Sequence, residues 1–244
     1  MSVAENIAKI EERIKRACDG AGRKRDEITL MGVTKFVPID AVEEALYAGI
    51  HCFGESRVKE AAEKFGPFMD KYRTGLPENS RDIQLHMIGS LQRNKAKSAA
   101  LFFDCIQSVD REELIHELVK HAAVREEPLA VLLELHTAED TKSGFADFDG
   151  LFRAADMLLK SEKLKPQGLM TMAPFISHPL DAGDTELIRS SFRQLAKAQR
   201  ELEKRFPPGE NWACLSMGMS NDFEIAIEEG STMLRIGSLI FGEQ

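Results

Sequence analysis

The sequence predicts an α/β protein, a (β/α)8 barrel of the TIM type with an extra helix at its amino terminus. Short apolar, strand-like runs alternate with amphipathic helical segments, a pattern that implies parallel pairing through right-handed crossovers. The runs number eight in 244 residues, and no low-complexity segment or linker divides the chain, so residues 1–244 read as a single domain. An open doubly wound sheet is the runner-up, and the lack of a GxGxxG after the first run weighs against it.

The expected strands are Leu30–Thr34, His51–Phe53, Leu85–Ile88, Phe102–Gln107, Leu129–Leu135, Pro166–Met170, Trp212–Ser216 and Met233–Ile236. A helix over Val3–Ala21 precedes them, its stripe of Ile7, Ile10, Ile14 and Ala17 marking it as a cover on the outside of the barrel. Ile39–Ala48 carries apolar residues three and four apart and stops at Gly49. Asp110 is the expected N-cap of a helix over Glu112–Val124. Thr185–Phe206 is long and ends at Pro207-Pro208, and Ser220 is the expected cap of Asp222–Glu229, with Gly230 as its stop. Irregular stretches fall at Gly75–Arg81, Thr137–Phe148 and Pro174–Gly183. The last two follow strands, on the rim where barrel sites form.

The composition, 43% hydrophobic and 30% charged, is that of a soluble globular chain able to build its own core. A net charge of −8 argues against general nucleic-acid binding, which needs clustered lysine and arginine. The local run Arg93-Asn94-Lys95-Ala96-Lys97 reads as a solvated helix start. Four cysteines without CxxC spacing, three of them in apolar runs, fit buried thiols in a reducing compartment. The start, Met1-Ser2-Val3-Ala4-Glu5-Asn6, has no hydrophobic signal core, and no apolar run approaches the roughly 18 residues that span a bilayer. A cytoplasmic protein with no membrane partner is expected.

The residues at strand ends carry the chemistry. Lys35 follows the first strand, and alternation aims Met31, Val33 and Lys35 into the barrel mouth while Gly32 and Thr34 face the helices. A partly desolvated amine there would have a lowered pKa, and the neutral amine is the form that attacks an aldehyde. Small residues at the ends of the last two strands, Met217-Gly218-Met219-Ser220 and Gly237-Ser238, suit a phosphate, which barrels often hold between those loops. Asp222 and Glu224 would repel an anion there and must point away. Arg235 shares the inward face of Met233; a cation inside a barrel needs either a carboxylate or the ring nitrogen of a cofactor beside it. His86 reads first as a hydrogen-bonded core residue. No HExxH, P-loop or GxSxG is present, and no metal site is expected.

With these positions in view, the chain resembles the pyridoxal phosphate homeostasis protein family, single-domain relatives of the alanine racemase barrel. The resemblance runs through Gly32-Val33-Thr34-Lys35, Phe53-Gly54-Glu55-Ser56-Arg57-Val58-Lys59-Glu60, His86-Met87-Ile88-Gly89-Ser90 and Lys142-Ser143-Gly144-Phe145. It ends in Ser216-Met217-Gly218-Met219-Ser220-Asn221-Asp222-Phe223 and Arg235-Ile236-Gly237-Ser238. It implies a fold of the PLP fold type III kind and binding of pyridoxal 5′-phosphate (PLP) as an aldimine on Lys35. Ser220, Gly237 and Ser238 then match phosphate-binding positions, with Arg235 beside the pyridine nitrogen and Ser56 and Met217 at the cofactor. The chain departs from the family where Ser56 and His136 replace asparagine and Ser90 replaces histidine.

The resemblance implies a non-catalytic carrier or buffer of PLP that serves PLP-dependent apo-enzymes, and a monomer is expected. The alternative is a weakly active PLP-dependent amino-acid racemase or lyase. Racemase relatives draw a second base, a tyrosine, from an additional β domain. None is expected here, and Tyr47 and Tyr72 both fall in the early half of the chain. A Schiff-base aldolase without cofactor is the third reading.

Overall fold

The computed structural model describes residues 2–75, 83–138, 143–176, 181–206 and 212–242. The strands are β1 (Thr29–Val33), β2 (Cys52–Glu55), β3 (Gln84–Met87), β4 (Cys105–Val109), β5 (Leu129–Glu134), β6 (Leu164–Met170), β7 (Cys214–Ser216) and β8 (Met233–Ile236). All pairs are parallel between neighbours in sequence, and β8 returns to β1, closing the barrel. The helices are α1 (Val3–Gly20), α2 (Ile39–Tyr47), α3 (Val58–Gly75), α4 (Ala96–Phe102), α5 (Glu112–Ala122), α6 (Phe148–Leu159), α7 (Ala182–Arg205), α8 (Phe223–Glu228) and α9 (Ser238–Phe241).

Strand alternation divides the apolar residues into two layers. Met31, Cys52 and Met233 form one cluster inside the barrel, and Cys105, Leu132 and Met170 another. The outward residues of the same strands, such as Leu30, Phe53, Leu133 and Leu234, join the helices in the main core. Gly32 belongs to this outer layer, because a Cβ there would meet Ile50, Phe53 and Phe241 at 3.3–3.5 Å. α1 lies outside, burying Ile7, Ile10, Ile14 and Cys18 against the core at about 1.5–3 kcal/mol for each isoleucine. It starts with a capping box between Ser2 and Glu5. Among the described residues, no helix is long and apolar enough to cross a membrane.

Several expected boundaries move. β4 begins at Cys105, because Phe102 closes α4 and packs edge-on against the buried Phe103. An apolar run does not separate a helix end from a strand start. Asp110 does not cap α5; its carboxylate is engaged by the Arg111 guanidinium, and Arg111 takes the cap position without a side-chain bond. α7 starts three residues early, where Asp181 and Asp184 make a capping box. Ser220 is not the cap of α8; Asp222 occupies that position. Arg93–Lys95 form a 3₁₀ turn leading into α4, and Arg93 pairs with Glu117 at 3.2 Å. Gly75 ends α3, whereas Pro207, Pro208 and most of the Gly75–Arg81 stretch lie outside the described residues.

One close approach fixes the register of β6 on β7. A Cβ at Gly168 would stand 1.9 Å from the carbonyl oxygen of Cys214, which is backbone and cannot yield, and φ is +153°. Gly168→Ala is therefore expected to destabilise the barrel by at least about 3 kcal/mol, lowering the thermal midpoint by roughly 6–12 °C in a chain of this size. Differential scanning calorimetry checks this, and a midpoint within about 2 °C of wild type would refute the register.

Candidate functional site

A cavity of about 480 Å³ opens at the carboxyl ends of the strands. That is within the usual size of small-molecule sites, roughly 300–1,000 Å³. Lys35, Ser56, Ser220, Arg235, Gly237 and Ser238 all line it, so six of the seven expected cofactor-binding residues share one space. Met217 does not. It is fully buried in the outer core, because alternation along β7 turns its side chain toward the helices. Val33, Ile88, Met172, Pro174, Phe175 and Ile188 give the cavity apolar walls.

Lys35 sits in the turn after β1 and is exposed at the rim. The burial on which the expected desolvation of its amine rested is not present. The loops after β7 and β8 line the same cavity. Gly237 is close to β1, since a Cβ there would be 3.4 Å from Val33. The Ser238 hydroxyl donates to Ser220 Oγ at 3.0 Å, joining the loop after β7 to the loop after β8. α9 begins at Ser238, so the first backbone N–H groups of its turn have no acceptor within the helix. On the other wall, Gly89 is required, because a Cβ would stand 2.4 Å from the Ser56 carbonyl oxygen.

The two acidic residues behave differently. Glu224 points away and pairs with Arg13 of α1 at 2.6 Å. Asp222 lines the cavity instead, and its carboxylate accepts from the Met219 N–H at 2.5 Å, tying down the loop that carries Ser220. Burial pushes its pKa up, while the Met219 N–H and Arg235 oppose the rise. Glu134, at the end of β5, is likewise pushed up by burial, opposed by a 2.5 Å bond from Ser143 and by Arg235. Arg235 is buried, which pulls its pKa down against the nearby charges of Asp222 and Glu134. It forms no direct ion pair among the described residues. It spends Nη1 on Ser216 Oγ at 2.7 Å and Nη2 on the Thr171 carbonyl at 2.8 Å.

That first bond starts a chain across the barrel. A guanidinium only donates, so the Ser216 hydroxyl passes its hydrogen on to Gln107 Oε1 at 2.7 Å. Gln107 Nε2 then donates to His86 Nδ1 at 2.7 Å, which leaves the ring proton on Nε2, facing Gln84 Oε1 at 3.2 Å. His86 is thus a hydrogen-bonded core residue, as first read. Burial lowers its pKa to about 4, so the ring is neutral near pH 7.

The alanine racemase N-terminal domain family matches residues 6–244. A pyridoxal phosphate homeostasis protein of Aquifex aeolicus is 35% identical over 246 residues, covering 100% of this chain and 99% of the relative. The Escherichia coli K12 protein of the same name is 36% identical, covering 98% and 96%. The chain belongs to the pyridoxal phosphate homeostasis protein family. The PipY protein of Synechococcus elongatus PCC7942, solved with PLP bound, superposes with a TM-score of 0.80 at 31% identity, covering 99% of this chain and 100% of that one.

The three positions expected to differ from the family pattern are split by the structure. Ser56 and Ser90 line the cavity, while His136 is half-buried, with Nδ1 3.2 Å from the Ser143 carbonyl. Lys142 lies outside the described residues. Sequence reasoning missed Glu134, Ser143 and Gln107. Glu134 had a signal, a carboxylate at the end of a barrel strand; the partners of Gln107 depend on how the strands stagger across the barrel.

The neutral His86 gives a stability test. Its folded pKa lies below the unfolded value of about 6.5, so the unfolded chain gains the proton first, and stability falls as pH drops from about 6.5 to 4. His86→Asn keeps an acceptor for Gln107 and cannot titrate. Urea unfolding at pH 7 and pH 4.5 is expected to show wild type losing about 2–3 kcal/mol more than the variant. Equal losses would contradict the assigned proton.

Proposed function

We propose that this protein holds PLP reversibly in the mouth cavity and takes part in its homeostasis as a carrier or buffer. The observation that carries the reading is one cavity that joins the amine of Lys35 to the paired hydroxyls of Ser220 and Ser238, with the buried cation Arg235 between the strands below. The donor set fits the cofactor: an amine for its aldehyde, hydroxyls and free N–H groups for its phosphate, and a guanidinium for its ring nitrogen. When bound, PLP supplies a reactive aldehyde on an electron-withdrawing ring.

Lys35 Nζ joins that aldehyde with loss of water, and water reverses the bond, so the ligand can be released. The exposed position of Lys35 favours such exchange over sequestration. Ser220, Gly237 and Ser238 orient the phosphate, and Ser56 closes the opposite wall. Arg235, a permanent cation, keeps the ring nitrogen free of a proton and so weakens the ring as an electron sink. Neither tyrosine lines the cavity; Tyr47 and Tyr72 face each other across α2 and α3 with hydroxyls 3.3 Å apart. Among the described residues, no tyrosine is placed to serve as the second acid of a two-base racemisation. PipY is solved with PLP, and the homeostasis relatives match end to end, which supports the carrier reading over a racemase or lyase. The protein is proposed to act as a monomer in the cytoplasm, with PLP-dependent apo-enzymes as the recipients.

Purified protein with PLP is expected to show a visible absorption band that Lys35→Ala removes. Borohydride reduction followed by peptide mass analysis should place a pyridoxyl group on Lys35. An unchanged band in the variant would remove Lys35 as the attachment point. A trapped substrate without pyridoxyl mass would favour the cofactor-free aldolase, and exchange of an amino acid's α-proton with solvent would favour the racemase.

A further inference from the structure

The turn that presents Lys35 is held in an unfavourable shape. Val37 N–H donates to the Thr34 carbonyl at 3.0 Å, closing a four-residue turn with Lys35 and Phe36 at its centre. Phe36 has φ of +63° and is the one described non-glycine residue with positive φ. A turn with positive φ at its third residue favours glycine or asparagine. Phe36 is 61% exposed, and its ring meets the Arg57 guanidinium at 5.3 Å, an exposed contact worth about 0.5–1 kcal/mol and too small alone to hold the turn.

What holds it is Lys64 of α3. Its ammonium has three N–H donors and three acceptors: Glu55 Oε1 at 2.5 Å, the Thr34 carbonyl at 2.6 Å and the Val37 carbonyl at 3.2 Å. Two of these are the first and last residues of the Lys35 turn. Glu55, only 1% exposed, holds the ammonium and also accepts from Thr34 Oγ1 at 2.7 Å. The anchor therefore spans the end of β2, the end of β1 and the second turn of α3, and it fixes the backbone on both sides of Lys35 without touching the cavity.

We propose that Lys64, backed by Glu55, is a positioning residue that clamps the Lys35 turn and so sets how firmly PLP is retained. This deepens the function proposed above and rests on Lys35 being the attachment point. Strain at one such backbone position is of the order that changes a conformer ratio about tenfold or more. Lysine geometry matters, because a planar guanidinium cannot direct donors to three acceptors placed this way.

The test uses the full chain. Lys64→Met alone leaves Glu55 as a buried unpaired carboxylate and endangers folding, so the main variant is Lys64→Met with Glu55→Gln, whose amide still accepts from Thr34. In the PLP-free protein, hydrogen exchange at the Val37 amide should speed at least about tenfold while amides of β5 keep wild-type protection. With PLP, the dissociation constant should rise about tenfold, equal to about 1.4 kcal/mol. Adding Phe36→Gly, which accepts positive φ without strain, should return most of that loss. Unchanged exchange, faster exchange with unchanged PLP affinity, or a loss that Phe36→Gly fails to offset would each overturn the clamp. If reduction labels a different lysine in wild type, the attachment reading fails, while exchange measured without PLP still judges the clamp by itself.

Discussion

The ladder between β1 and β8 is the constraint on which the site depends. Met31 pairs with Arg235 and Gly32 with Ile236, so the next residues along each strand, Val33 and Gly237, come into contact at the rim. Residues about 200 positions apart in the chain thereby become neighbours roughly 4.8 Å from strand to strand. Lys35 lies two residues beyond Val33, and Ser238 one beyond Gly237. A closed parallel barrel leaves no other place for the first and last strands, and Lys35 and the loops of Ser220 and Ser238 share one cavity because the sheet closes.

Around that seam, the protein separates fixed parts from exchangeable ones. Beneath the cavity, Arg235 is locked by Ser216 and Thr171, and the hydrogen-bond chain through Gln107 ends on a neutral His86. This chain is directed from one end: the Arg235 guanidinium can only donate, which sets the donor and acceptor at each step to His86, while the second hydrogen of Gln107 Nε2 faces Met233 Sδ at 3.1 Å. Above, the hydroxyls of Ser220 and Ser238 bond to each other, and Lys35 is exposed. Rigid groups sit where a ring would be oriented, and available groups sit where bonds must form and break. That division suits a protein that binds a reactive aldehyde and later gives it up.

Much of this was legible in the sequence, and the reasons are physical. Strand periodicity and strand order located all eight strands, and strand ends in a barrel point to one rim, so Lys35, Arg235 and the Ser220 and Ser238 loops could be placed without coordinates. Boundaries at Phe102, Asp110 and Ser220 were not legible, since apolar runs and capping residues have equivalent choices one or two positions away. Met217 was misassigned because a motif carries its neighbours with it, whereas alternation sends its side chain to the helices. The Gln107 chain depends on strand stagger across the barrel. The Lys64 clamp was invisible, because a lysine on a helix reads as a solvated charge, and nothing marks Phe36 for a conformation that glycine or asparagine usually takes.

The most direct measurement is a crystal structure of the protein grown with PLP. The account predicts the phosphate between Ser220 and Ser238, the aldehyde carbon bonded to Lys35 Nζ, and the ring nitrogen facing Arg235. A phosphate bound elsewhere, for instance in the smaller cavity beside Arg25 and His51 at the opposite end of the barrel, or electron density linking PLP to another lysine, would contradict it.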